Sequence, residues 1–177
     1  ELPFAYHISS DANVIAGTAF HPGTNTSGWF TAHLDMEIGS SFCAGAFINS
    51  TGSPGQLVAQ GSNVLGEQNL TLEATSLPPH AFAMAISSMT IDENIFGPGN
   101  QPKLCLRGTI GRHLTAIRNT GPSGTTSMPI DLTAMPQPSG TTIAAMVGQT
   151  WGFQVWHRDT SLSMMSNMTR GISVVLH

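Results

Sequence analysis

Short runs along the chain hold the residues best suited to chemistry. In His33-Leu-Asp35-Met-Glu37, strand alternation would aim His33, Asp35 and Glu37 to one side. An imidazole with two carboxylates can hold a divalent ion. The plainer reading is a solvated face opposite Leu34, Met36 and Ile38, and it is the stronger one, because any half-exposed strand needs polar residues there. Asp92-Glu93-Asn94 offers oxygen ligands on a Gly/Pro loop and would suit calcium, but the regular ligand spacing of a calcium loop is absent. His157 and Asp159 flank Arg158, so His157 read as a base oriented by Asp159 would give a hydrolase. Against that stands a buried His157 or Arg158 that holds a loop by hydrogen bonds.

Other signals concern surfaces. Sequons occur at Asn25, Asn49, Asn69 and Asn167, with Asn25 and Asn49 the better candidates for glycosylation. Trp29, beside Gly28, has the shape of a sugar-stacking platform, although an aromatic at a strand start is more often core. No Gly-x-Ser-x-Gly elbow, phosphate loop, His-Glu-x-x-His or Cys-x-x-Cys is present. The carboxylates are too scattered to nominate a glycosidase pair. No catalytic residue is nominated, and an enzyme is not the expectation.

The elements that position these residues centre on Gly148–Asp159. Aromatic and β-branched residues there favour a pleated, buried strand. Alternation sets Trp151, Phe153, Val155 and His157 on one face and Gly152, Gln154, Trp156 and Arg158 on the other. Both faces carry an aromatic, which predicts a central strand with Trp151, Phe153, Trp156 and Arg158 as structural core. Residues 56–65 and 70–75 read as a hairpin, 81–89 as a buried strand, and 127–132, containing Pro129, as a strand that lies at an edge or carries a bulge. Residues 29–38 alternate, and 171–177 read as a last strand tied into a sheet. About nine or ten short strands without an amphipathic helix predict an all-β fold, an antiparallel β-sandwich of Ig-like or jelly-roll-like type. Residues 1–41 are expected to be an N-terminal strand or arm, and 42–177 the sandwich module.

Composition narrows the partners. Charged residues make up 9% of the chain, against roughly 25% in an ordinary domain, while 40% hydrophobic residues exclude disorder. A formal net charge of −4 with six Lys and Arg argues against nucleic acid. No apolar run reaches membrane-spanning length. A chain that begins at Glu1 is expected either from removal of a secretory signal or from trimming. Cys43 and Cys105 form an even count in a chain of exported character, so one disulfide is expected, with two buried free thiols as the alternative.

The run from Phe42 to His177 resembles a module of large secreted proteins from planctomycete-type bacteria. The resemblance is carried by Phe42-Cys43, Asn49-Ser-Thr-Gly52, Asn69–Pro79, Leu104-Cys105-Leu106, Thr109–Arg112, Asn119-Thr-Gly121, Trp151–Asp159 and Ser166–Thr169. Arg107 departs from a usual glycine and Met168 from a usual aromatic. The resemblance implies an extracellular β-sandwich with Cys43 and Cys105 bridged, and brings no catalytic residues. The resulting expectation is a secreted or cell-surface structural or adhesive module, associating with copies of itself or a larger envelope or filament assembly. The alternative is a carbohydrate- or metal-binding accessory module of a secreted enzyme, in which polysaccharide is the partner and Ca²⁺ or another divalent ion the cofactor.

Overall fold

A computed structural model describes residues 4–8, 14–21, 23–24, 26–33, 38–44, 48–93, 103–159 and 166–177. The strands are β1 (Phe4–Ile8), β2 (Val14–His21), β3 (Thr26–His33), β4 (Ser40–Phe42), β5 (Gln56–Gln60) and β6 (Thr71–Thr75). They continue with β7 (Phe82–Ser88), β8 (Thr90–Ile91), β9 (Leu106–Arg107), β10 (Gly111–Arg112), β11 (Arg118–Asn119) and β12 (Thr126–Pro129). Last come β13 (Met135–Pro136), β14 (Thr142–Ile143), β15 (Thr150–Arg158), β16 (Ser166–Met168) and β17 (Gly171–Val175). The fold is all-β and antiparallel, as expected. The strands outnumber the nine or ten expected because six of the seventeen are two-residue ladders, too short to leave a period-2 pattern. Among the described residues helical structure is confined to the 3₁₀ turns Leu65–Glu67 and Leu114–Ala116. No helix among the described residues is long and apolar enough to cross a membrane.

The chain divides into two compact units, Glu1–Met36 and Glu37–His177. The boundary falls earlier than the expected 41/42 because Ser40 and Ser41 pair with Ser173 and Ile172 of β17. The first unit is a meander in the order β1-β2-β3. Its second hairpin runs in continuous register from Val14↔His33 to His21↔Thr26.

In the second unit a large sheet orders β10-β7-β15-β17-β4, and a smaller one orders β12-β6-β5. Alternation along β15 turns Trp151, Phe153 and Val155 inward. There they meet Ala83 and Ala85 of β7, Leu57 and Ala59 of β5, Leu72 and Ala74 of β6, Met128 of β12, and Ile172 and Val174 of β17 in one buried core. This is the sandwich interface. Each of its large apolar side chains, fully buried, contributes roughly 1.5–3 kcal/mol. The hairpin β5–β6 lies where the sequence pattern placed it, and β12, which among the described residues pairs with β6 alone and ends at Pro129, takes the edge position, one of the two expected for it.

The other face of β15 is covered by a strap. β8 and β9 pair through Thr90↔Arg107 and Ile91↔Leu106 and lie over Gly152, where a Cβ would stand 2.7 Å from Ile91 Cγ1 and 2.9 Å from Leu106 Cδ2. The glycine lets the strap approach the sheet closely. The disulfide Cys43–Cys105, Cα–Cα 5.9 Å, pins the strap beside it, and Phe42, Ile86 and Leu106 complete this smaller cluster.

Candidate functional site: an apolar cleft where the strap ends

Most of the side chains with chemical potential are engaged in holding the fold. His157 is fully buried on the inner face of β15; its Nδ1 lies 3.3 Å from the Arg158 carbonyl, and its buried Nε2 has no hydrogen-bond partner among the described residues. Nε2 lies beside Gly55, where a Cβ would stand 3.5 Å away. Burial holds this imidazole below its ordinary pKa, against the opposing pull of the Arg158 carbonyl and Asp159. Asp159 Oδ2 accepts the Ser50 N–H at 3.0 Å. Neither side chain opens onto a surface where a base could meet substrate, since both are 2% exposed or less. Asp159 clamps the loop at Ile48–Ser50, while His157 packs beside Gly55.

Asn49 and Asn167 serve the same clamp. Asn49 is buried; its Nδ2 donates to the Ser76 carbonyl at 2.6 Å, and its Oδ1 accepts the Thr51 N–H at 2.8 Å. A glycan on that Nδ2 does not fit this fold, so the reading of Asn49 as a surface acceptor is corrected to a structural turn residue. Asn167 is also fully buried, and its Nδ2 donates to the Ile48 carbonyl at 3.5 Å. Asn25 lies outside the described residues.

The metal candidates divide similarly. Asp35 and Glu37 lie outside the described residues, and His33 ends β3. Asp92 Oδ2 accepts from Arg107 Nε at 2.7 Å, and Glu93 Oε2 accepts the Cys43 N–H at 3.2 Å, so these carboxylates secure the strap. Asn94 lies outside the described residues. Among the described residues no group of three His, Cys, Asp or Glu is placed to hold a metal ion. Trp29, read as more often core, is 80% exposed. Arg158, read as core, is exposed at the end of β15, its guanidinium 5.8 Å from the Trp156 ring centroid. The strand outruns its cover, so the last outward residue meets water.

That thinning of cover creates a cleft. On the outer face Gly152 lies under the strap, Gln154 under the disulfide, and Trp156 is half-buried. The ladder with β7 sets Ile86 opposite Gln154 and Met84 opposite Trp156, and the ladder with β16 sets Met168 opposite Trp156 from the other side. Met84, Ile86, Trp156 and Met168, with Leu104, Ile110 and Arg112, line a cleft of ≈ 280 Å³. Arg112, paired with Ile86 through β10, borders it, and Arg158 stands over Trp156. Cations beside an apolar, methionine-rich floor suit an apolar or aromatic body carrying an anionic group. Among the described residues the cleft presents no nucleophile with an adjacent base.

A more polar groove of ≈ 460 Å³ adjoins it across Ile110 and Arg112, and includes Asp131, Gln137 and Thr142. His113 lies at the same place but is used from within. It is 7% exposed and shares a 3.0 Å hydrogen bond between Nε2 and the Oγ of the buried Ser87, and burial pushes it down to about 4. Sequence reasoning did not single out Ser87, His113 or Met84, and it noted Met168 only as standing where an aromatic is usual. The alternation of 81–89 was the available signal for Met84 and Ile86, whereas the pairing of Ser87 with His113 has none.

No family model matches the chain, and no curated protein or solved structure matches it.

Proposed function

We propose that this chain is a non-catalytic structural or adhesive module, acting outside the cytoplasm by contact with copies of itself or with a larger assembly. The observation that carries the reading is the division of labour among its side chains. Asp159, Asn49 and Asn167 hold one loop, and Asp92, Glu93 and Gln154 hold the strap. What remains at the surface is poor in charge and includes large apolar groups, among them Trp29, Phe82, Leu114, Met146 and Val147. The disulfide supports an oxidising compartment, in line with the resemblance to secreted modules. Sedimentation of the full chain over a wide dilution series tests self-association. A mass above the monomer that grows with concentration is expected, and a monomer throughout would remove self-association from the reading.

A second reading draws on the cleft. Trp156 beside Arg112 favours an accessory module that recognises carbohydrate or another small ligand. A glycan array together with calorimetric titration of Ca²⁺ and Cu²⁺ separates the two. A saturable glycan or ion signal that disappears in Trp156→Ala supports the second reading; no array signal and no heat removes it.

A further inference from the structure

Among the described residues, one sheet edge lacks the protection given to the others. β1 is a five-residue edge whose register shifts between Ala5 and His7, and such irregularities turn an edge away from partners. β4 is three residues long, β10 and β11 two each, and β12 ends at Pro129, which has no N–H to offer. β5 is met by the bridge from Ile38 to Ala59. β3 differs on each count. It is eight residues long, pairs with β2 without a register shift, and ends the order β1-β2-β3. The run Thr-Ser-Gly-Trp-Phe-Thr-Ala-His contains no Lys, Arg, Asp, Glu or Pro, the residues by which edge strands are usually blunted. Trp29, at its centre, is 80% exposed.

We propose that β3 pairs edge to edge with β3 of a second copy, antiparallel across a twofold axis, joining two meanders into one continuous sheet. The inference rests on the self-association reading above and names its surface. Symmetry restricts the register. Along β3, backbone N–H and C=O groups point alternately toward β2 and away from it, so the residues that can bond a new strand share one parity. When a strand pairs antiparallel with its own copy, the two numbers in each pair add to a constant, and shared parity makes that constant even. The twofold axis therefore passes through a residue that faces its own copy. For a strand spanning 26–33, the central choices are Trp29 or Phe30, with pairing over 26–32 or 27–33.

Either register places no formal charge against its like, since the first unit's charged residues, Glu1, Asp11 and Asp35, lie outside β3. Each tryptophan offers about 150–250 Å² of contact. With the strand ladder this makes an interface at or below the roughly 1,200–2,000 Å² of stable complexes, so the association is concentration-dependent.

The test uses the full chain. Sedimentation should give a dimer that dissociates on dilution, and Trp29→Lys should shift it to monomer with an unchanged circular dichroism spectrum. Trp29→Cys and Phe30→Cys are oxidised mildly in parallel. The residue on the axis lies about 4.5–5.5 Å from its copy between Cα atoms, within disulfide reach, so one of the two should form a covalent dimer. An oligomer that survives Trp29→Lys, or the failure of both cysteines to cross-link, overturns the β3 pairing while leaving self-association standing. A wild-type monomer at every concentration overturns both.

Discussion

The side-chain carbonyl of Gln154 accepts the backbone N–H of Cys105 at 2.8 Å, in the middle of the large sheet's outer face. Its Nε2 donates to the Lys103 carbonyl at 3.1 Å and the Thr169 carbonyl at 3.0 Å, and lies 3.7 Å from Cys43 Sγ. One buried amide thus satisfies the backbone on both sides of the disulfide. Replacing it with leucine keeps the volume and leaves these groups buried without partners. Gln154→Leu should lower stability by about 3 kcal/mol, since each unsatisfied buried group costs roughly 1–3 kcal/mol. A reduced urea midpoint with an unchanged m-value is the expected result; an unchanged midpoint means water replaces the amide.

The disulfide closes a span of 62 residues. In the chain-entropy model a loop of that length is worth about 4 kcal/mol. Denaturant titration of a Cys43→Ser, Cys105→Ser chain should show a loss near that size. A loss below about 1 kcal/mol would mean that Gln154 and the β8–β9 strap hold the outer face without the covalent link.

Acid should unfold the protein through its buried histidines. His113 has a folded-state pKa lowered from 6.5 to about 4, so the unfolded chain binds more protons in between. The stability from keeping it neutral is full above pH 6.5, declines as pH falls toward about 4, and levels off below. The shift corresponds to about 3 kcal/mol. His157 is shifted the same way and adds to the slope. Denaturant titrations at pH 7 and pH 4 should differ by that amount or more for wild type. They should differ less for His113→Asn, and equal slopes for the two proteins would refute the assignment.

Gly152 tests the approach of the strap. The three atoms nearest an added Cβ, Ile91 Cγ1, Leu106 Cδ2 and Ile91 Cδ1, all belong to side chains that can give. Gly152→Ala should therefore cost about 1 kcal/mol as those side chains move, and Gly152→Val about 3 kcal/mol because β-branched volume cannot be absorbed. Thermal melts of the two variants should rank in that order; equal melting temperatures would place slack between strap and sheet.

Arg158→Ala should change stability by about 0.5 kcal/mol, the scale of an exposed cation over an aromatic ring. A loss above about 2 kcal/mol in the same melts would restore Arg158 to the core that its place in the sequence suggested.

The two faces of β15 show how far the chain could be read directly. Alternation of Trp151, Phe153 and Val155 fixes a buried inner face by chemistry that acts between near neighbours, and a second aromatic on the opposite face requires some cover there. The all-β class, the central place of this strand, the hairpin of 56–75 and the edge character of Pro129 follow from such local rules. The nature of the outer cover does not. It depends on Ile91, Leu106 and Cys105 crossing above Gly152 and Gln154, contacts between residues about fifty positions apart that no local period records.

The candidate chemistry divides for the same reason. Residue types alone singled out His157, Asp159 and Asn49, because imidazoles, carboxylates and sequons have the same appearance whether buried or exposed. Burial decided their use, turning them to hydrogen bonds inside the fold, and the same accounting left Trp29, Trp156 and Arg158 facing outward. Sequence by itself determined periodicity, the single pair of cysteines and the scarcity of charge. Only tertiary structure decided which polar atoms water can reach, because solvent access is set by packing between distant segments and not by the identity of the side chain.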